Sequence, residues 1–93
     1  MVYFDNNATT AVHQQVVDAM IPFLAEQFGN PSSSYSLGRD ARLAVSLARS
    51  EVARVLGAGQ PDDVIFTSGG TESDNWAIMG ALEAFPEKRH IIT

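Results

Sequence analysis

No cysteine occurs among these 93 residues. That excludes a disulfide framework, a thiolate zinc site, iron–sulfur ligation and a cysteine nucleophile within the chain. It says little about compartment, since secreted and cytosolic chains can both lack the residue. Lysine is almost as scarce: Lys88 stands alone, and lysine plus arginine number 6 against 11 acidic residues, for a formal charge of -5. No basic cluster is available to neutralise a phosphate backbone, which argues against nucleic acid as a partner. Long apolar runs are also missing. Nothing approaches the roughly 18 apolar residues of a membrane helix, and MVYFDNNATT has no basic region leading into an apolar one. The expectation is a cytoplasmic chain without a membrane partner, long enough for one small domain at most.

What is present reads as alternating helices and short extended runs. Val2 to Phe4 is extended, and Asp5-Asn6-Asn7 has turn chemistry. Val12, Val16, Val17, Met20, Ile21, Leu24 and Phe28 recur at three- and four-residue steps, predicting a helix. Pro22 removes a backbone donor and predicts a kink or break near residues 18 to 22, with Gly29 as the C-terminal cap. Residues 29 to 38, GNPSSSYSLG, read as a loop, compatible with a functional loop or a flexible linker. A second helix spans Arg39 to Leu56 and stops at Gly57 and Gly59; its four arginines, Arg39, Arg42, Arg49 and Arg54, predict a solvated face with Asp40 and Glu51 as local partners.

Gln60 to Asp63 form a polar turn, Val64 to Thr67 read as a buried parallel strand, and Trp76, Ile78, Met79 and Leu82 mark a third helix ending before Pro86, with Trp76 expected in a core. His90 to Ile92 open another strand, so the chain looks as though it stops inside one and more protein is expected to follow. Helix–strand–helix–strand with short joints predicts an α/β architecture with a parallel sheet covered by helices.

The turn at Ser68-Gly69-Gly70-Thr71 is the most informative place for chemistry. Paired glycines allow close backbone approach, and the free N–H groups opening the next helix attract an anion, with the helix dipole adding about 0.3–1 kcal/mol. The Gly70 and Thr71 N–H groups and the Thr71 hydroxyl make a candidate phosphate site. It is neither a Walker A loop nor a G-x-G-x-x-G turn. The plainer alternative is a helix capped by Ser68 or Thr71, with Glu72 and Asp74 favouring its positive end and repelling an outside phosphate. Asn6, Asn7, Thr9 and Thr10 form a second polar cluster, which reaches a crevice or starts a helix. His13 and His90 have no second histidine at ligand spacing, so no metal site is expected.

Taken together, YFDNNATT, FGNPSSSYSLGR and IFTSGGTESDNWAI, in this order and at these spacings, resemble the N-terminal part of pyridoxal-phosphate-dependent cysteine desulfurases. These enzymes form part of the class V branch of fold-type-I aminotransferases. The resemblance covers essentially the whole chain. It implies a piece of a fold-type-I α/β enzyme, with residues 1–15 in the small domain and 16–93 opening the large cofactor domain. It also implies that Gly70, by its backbone, and Thr71, by backbone and hydroxyl, bind the phosphate of pyridoxal 5'-phosphate. Asn7, Ala8 and Thr9 within the first motif, and Asn30 within the second, match parts lining the substrate side and the subunit contact.

The implied reaction converts L-cysteine to L-alanine and passes sulfur to an enzyme cysteine as a persulfide, with the pyridine ring as electron sink. A sulfur-acceptor or scaffold protein and a homodimeric partner are implied as well, in iron–sulfur cluster assembly or another sulfur-donor pathway. The Schiff-base lysine, the aspartate at the pyridine nitrogen, the ring-stacking histidine and the persulfide cysteine of the family all lie beyond Thr93. Lys88 and His90 fall in the wrong motifs for these roles, so no catalytic residue is expected within this chain and the piece alone is expected to be inactive. The alternatives are a selenocysteine lyase or other class V enzyme, and a truncated non-catalytic protein that acts by binding a partner.

Overall fold

The structure is a computed structural model that describes residues 1–92. Its elements are α1 (Gln14–Ala25), α2 (Ser36–Leu56), a 3-10 turn at Pro61–Asp63 and α3 (Gly70–Ala84). Three helices and the polar turn stand where the residue pattern predicts them, with different ends. α1 begins after His13, whose Nδ1 accepts the Gln15 N–H at 3.3 Å, so His13 is the cap and the Asn6–Thr10 cluster does not start the helix. The helix continues through Pro22, so of the expected kink or break the break does not occur. It ends where the N–H groups of Glu26 and Gln27 both close on the Pro22 carbonyl, at 2.9 and 2.8 Å. Phe28 and Gly29 therefore lie outside α1, and Gly29 is not its cap.

α2 starts three residues earlier than its periodicity suggests, at Ser36, when the Arg39 N–H bonds to the Tyr35 carbonyl at 3.0 Å. Gly38 looks like loop by composition, yet it is a buried helical residue. At the other end Gly57 adopts the left-handed conformation (φ 68°), as expected of a terminal glycine. The Ala58 N–H reaches the Ala53 carbonyl at 2.9 Å and the Gly57 N–H the Arg54 carbonyl at 3.4 Å, a Schellman closure.

The expected parallel sheet is absent: no strand occurs among the described residues. Val64 has extended dihedrals (φ -96°, ψ 120°), so the local preference of Val64–Thr67 is expressed. A ladder also needs a neighbouring strand to exchange N–H and C=O bonds, and neither this segment nor His90–Ile92 has one here. Thr93, the last residue of the second expected strand, lies outside the described residues.

Packing is correspondingly thin. Among the helical elements only α2 and the 3-10 turn pack on each other. Among the described residues the buried apolar side chains are two alanines, Ala41 and Ala53, and Trp76 is 52% exposed rather than in a core. The accessible surface is 8266 Å², against roughly 5,200 Å² for a folded monomer of this mass. The radius of gyration is 17.6 Å, where a compact domain of this length has about 12 Å. No described helix is long and apolar enough to cross a membrane.

Candidate functional site

α3 opens on Gly70 with Gly69 as its N-cap, and a glycine offers no side chain to satisfy the first helical N–H groups. Neither Ser68 nor Thr71 takes over that duty. The Ser68 N–H and hydroxyl both donate to Glu72 Oε2, at 2.7 and 2.6 Å. This is a capping box displaced by one residue: the carboxylate reaches back past the cap instead of onto it. The two bonds from Ser68 hold the Glu72 carboxyl below its ordinary titration range, the side-chain bond more than the backbone one. Of the two carboxylates the sequence sets against an incoming phosphate, Glu72 is thus held on Ser68 in its ionised form.

The turn is braced on its other side by hydroxyls. Thr67 Oγ1 lies 2.6 Å from Ser73 Oγ, and the Gly69 carbonyl accepts from the Thr67 hydroxyl at 3.1 Å and from the Ser73 N–H at 3.2 Å. Among the described residues the N–H groups of Gly70 and Thr71 and the Thr71 hydroxyl have no hydrogen-bond partner. Nothing lies within 4 Å of where a Cβ would stand on Gly69 or Gly70. The glycine pair thus has room on its Cα side for a ligand to come close to the backbone. An open concavity of about 350 Å³ lies beside the turn, lined by Asp63, Ile65, Thr67, Ser73, Trp76 and Ala77. Gly70 and Thr71 do not line it.

The other sequence-predicted residues are separate from this turn. Asn7, Ala8 and Thr9 occupy a turn in which the Asp5 carbonyl accepts the Ala8 N–H at 3.0 Å and the Thr9 N–H at 3.4 Å. The Tyr3 hydroxyl reaches the carbonyls of Asp5 at 2.8 Å and Thr9 at 3.1 Å. Asn30 opens the second loop, its Oδ1 accepting the Ser32 N–H at 2.9 Å and its carbonyl the Ser33 N–H at 3.0 Å. No hydrogen bond among the described residues joins the three segments; the side-chain bond of longest sequence separation runs from Arg49 to the Val64 carbonyl.

Arg39, Arg42 and Arg54 are exposed, as a solvated face requires, but Arg39 and Arg42 bond to the preceding loop rather than to Asp40. Arg42 Nε donates to the Pro31 carbonyl and its Nη2 to the Ser33 carbonyl, each at 2.9 Å, and Arg39 Nη1 donates to the Ser34 carbonyl at 2.9 Å. Arg49 is half-buried, bonded to the Val64 carbonyl and stacked 5.2 Å from the Phe66 ring centre. Arg54 pairs with its expected partner, Glu51, at 2.8 Å on an exposed face. Lys88 is exposed, its ammonium 5.0 Å from the Phe85 ring centre. Sequence reasoning misses the Ser68–Glu72 latch, and the reach of Arg42 over nine and eleven residues has no periodic signal.

A glycine-led helix start with open donors, preceded by an extended segment and two tied polar turns, sets the context for comparison with known proteins. The chain matches the aminotransferase class-V family over residues 2–93, and it belongs to that family. It is 52% identical over 92 residues to the cysteine desulfurase NifS of Azotobacter vinelandii, covering 99% of this chain and 23% of the relative. It is 54% identical over 93 residues to the cysteine desulfurase IscS of Methanosarcina thermophila, again covering 99% of this chain and 23% of the relative. A solved structure of a NifS-like protein superposes with a TM-score of 0.84 at 46% identity, over 92% of this chain and 23% of that one. The chain thus spans about a quarter of the length of these relatives.

Proposed function

We propose that this chain is the N-terminal quarter of a pyridoxal-phosphate-dependent cysteine desulfurase and supplies the phosphate-binding end of its cofactor site. The observation that carries the reading is the pair of unpartnered N–H groups on Gly70 and Thr71, at the start of a helix capped by a glycine. The donor set suits a phosphate ester: two backbone N–H groups and a hydroxyl, with the nearest carboxylate drawn onto Ser68. Pyridoxal phosphate, when bound, supplies a pyridine ring that withdraws electrons from the amino-acid substrate. The work of these residues is to anchor and orient its phosphate: Gly70 by its backbone, Thr71 by backbone and hydroxyl.

Asn7, Ala8, Thr9 and Asn30 are assigned to the substrate side and the subunit contact, with residues 1–15 in the small domain and 16–93 in the opening of the large one. The substrate is L-cysteine, the product L-alanine, and the sulfur leaves as a persulfide for an acceptor or scaffold protein, as in iron–sulfur cluster assembly. The enzyme is a cytoplasmic homodimer. The chain has no cysteine, so the persulfide residue belongs to another part of the protein, and Lys88, on an exposed turn over Phe85, is not the cofactor lysine. The strands expected at Val64–Thr67 and His90–Ile92 pair within the sheet of the complete enzyme, which also covers the apolar faces left open here.

The complete enzyme, loaded with pyridoxal phosphate, is expected to release alanine and persulfide sulfur from L-cysteine; failure to form alanine overturns the activity. Thr71→Ala is expected to weaken cofactor retention about tenfold, the effect of losing one hydrogen bond to a charged group. Equilibrium titration of the apoenzyme with pyridoxal phosphate measures it, and an unchanged affinity removes Thr71 from the site.

A further inference from the structure

We infer that Arg42 is a positioning residue that fixes the 29–38 loop, and with it Asn30, for the amino-acid substrate. The inference rests on the substrate-side assignment proposed for that loop, and its structural basis lies in a closed set of local bonds. The guanidinium of Arg42 spans two carbonyls, Pro31 from Nε and Ser33 from Nη2, both at 2.9 Å. Its planar fork fixes the angle between those donors, so the two carbonyls are held relative to each other as well as to α2. No acidic side chain among the described residues forms a salt bridge with Arg42, which leaves its charge committed to the loop.

Glycines make the approach possible from the other side. A Cβ on Gly38 would stand 2.4 Å from the Ser33 oxygen and 2.7 Å from the Asn30 oxygen, and one on Gly29 would stand 2.2 Å from the Leu37 oxygen. Those are backbone atoms with nowhere to yield. The carbonyls of Asn30, Pro31, Ser33 and Ser34 and the N–H groups of Ser32 and Ser33 are all bonded within this unit. The Asn30 amide nitrogen and the hydroxyls of Ser32, Ser33 and Ser34 make no hydrogen bond among the described residues. The loop ties four of its carbonyls and two of its N–H groups locally and keeps polar side-chain groups free for a ligand.

Arg42→Ala and Arg42→Lys in the complete enzyme test this. Lysine keeps the charge and nearly the same helix preference but cannot span two carbonyls, so it serves where the alanine variant folds poorly. For Arg42→Ala the KM for L-cysteine is expected to rise about tenfold with kcat within about twofold, and for Arg42→Lys the KM rises by a smaller factor. Affinity for pyridoxal phosphate is expected to stay unchanged, which separates a positioned loop from a general loss of structure. In the ligand-free chain, amide hydrogen exchange at Ser32 and Ser33 is expected to quicken about tenfold in Arg42→Ala. Unchanged KM in both variants, or unchanged exchange at those two amides, overturns the inference and leaves the desulfurase reading intact. Absence of L-cysteine turnover in the unmutated enzyme overturns that reading and the inference with it.

Discussion

The stretch from Gly29 to Phe66 and the helices on either side of it obey the same local rules but reach different ends. In the middle stretch, α2 is clasped at its start by Arg39 and Arg42 on the loop before it, and near its end by Arg49 on the segment after it. Every one of those bonds joins residues no more than fifteen apart. α1 and α3 are just as regular as helices, yet Met20 is 49% exposed, Leu24 75% and Met79 62%. They pack against no other described helix. Secondary structure in this chain is a local product, whereas a core needs residues from far away. The middle stretch escapes that requirement by using long arginine side chains to reach backbone carbonyls a few turns off, where a larger domain would use apolar contact.

That contrast breaks most readily at Arg49. Arg49→Ala removes a charge-assisted bond to the Val64 carbonyl and the stack on Phe66, worth about 1.5–3 kcal/mol for the hydrogen bond before allowance for solvent at a half-buried group. Hydrogen exchange should then quicken at the Val64 N–H, which bonds to the Pro61 carbonyl at 3.0 Å in the segment Arg49 holds. Unaltered protection there would mean that something other than Arg49 ties this segment to α2. A smaller effect is expected at the helix end. Gly57→Ala places a side chain at φ 68° with nothing within 4 Å of it, so its cost is backbone conformation alone, about 1 kcal/mol. Circular dichroism against temperature should report that loss in α2.

Much of this was legible beforehand and some was not, for reasons that differ by residue. Helix existence followed from the three- and four-residue recurrence of Val16, Met20 and Leu24 and of Trp76, Met79 and Leu82, because that signal is local. The stop at Gly57 followed from the freedom of glycine at positive φ. Gly38 resembles loop by composition because its role is a close approach to Ser33 and Asn30, which composition does not encode. Val64–Thr67 has the β-branched and aromatic residues of a strand; Val64 is extended, but pairing depends on a partner. In the turn at Ser68 to Thr71, the N–H groups of Gly70 and Thr71 are legible as donors. The withdrawal of Glu72 onto Ser68 is not, since an N3 acid ordinarily bonds the cap itself.

The Ser68–Glu72 latch yields the smallest and most specific expectation. Glu72 lies outside the arginine-clasped stretch, and among the described residues its carboxylate has no cation to stabilise it, only the Ser68 hydroxyl and N–H. Both bonds favour the ionised form, so its pKa in the folded chain lies below its unfolded value. The sign follows from that order. The latch contributes fully at any pH above the ordinary glutamate range, and its contribution fades as pH falls through the lowered pKa. The Ser68 amide resonance should titrate with a midpoint below that of an unstructured glutamate. Glu72→Gln should abolish the titration while leaving a neutral oxygen to accept the same bonds. If the wild-type midpoint stands at the ordinary value, the latch is not formed in solution, and the acid stays free to oppose a phosphate at Gly70 and Thr71.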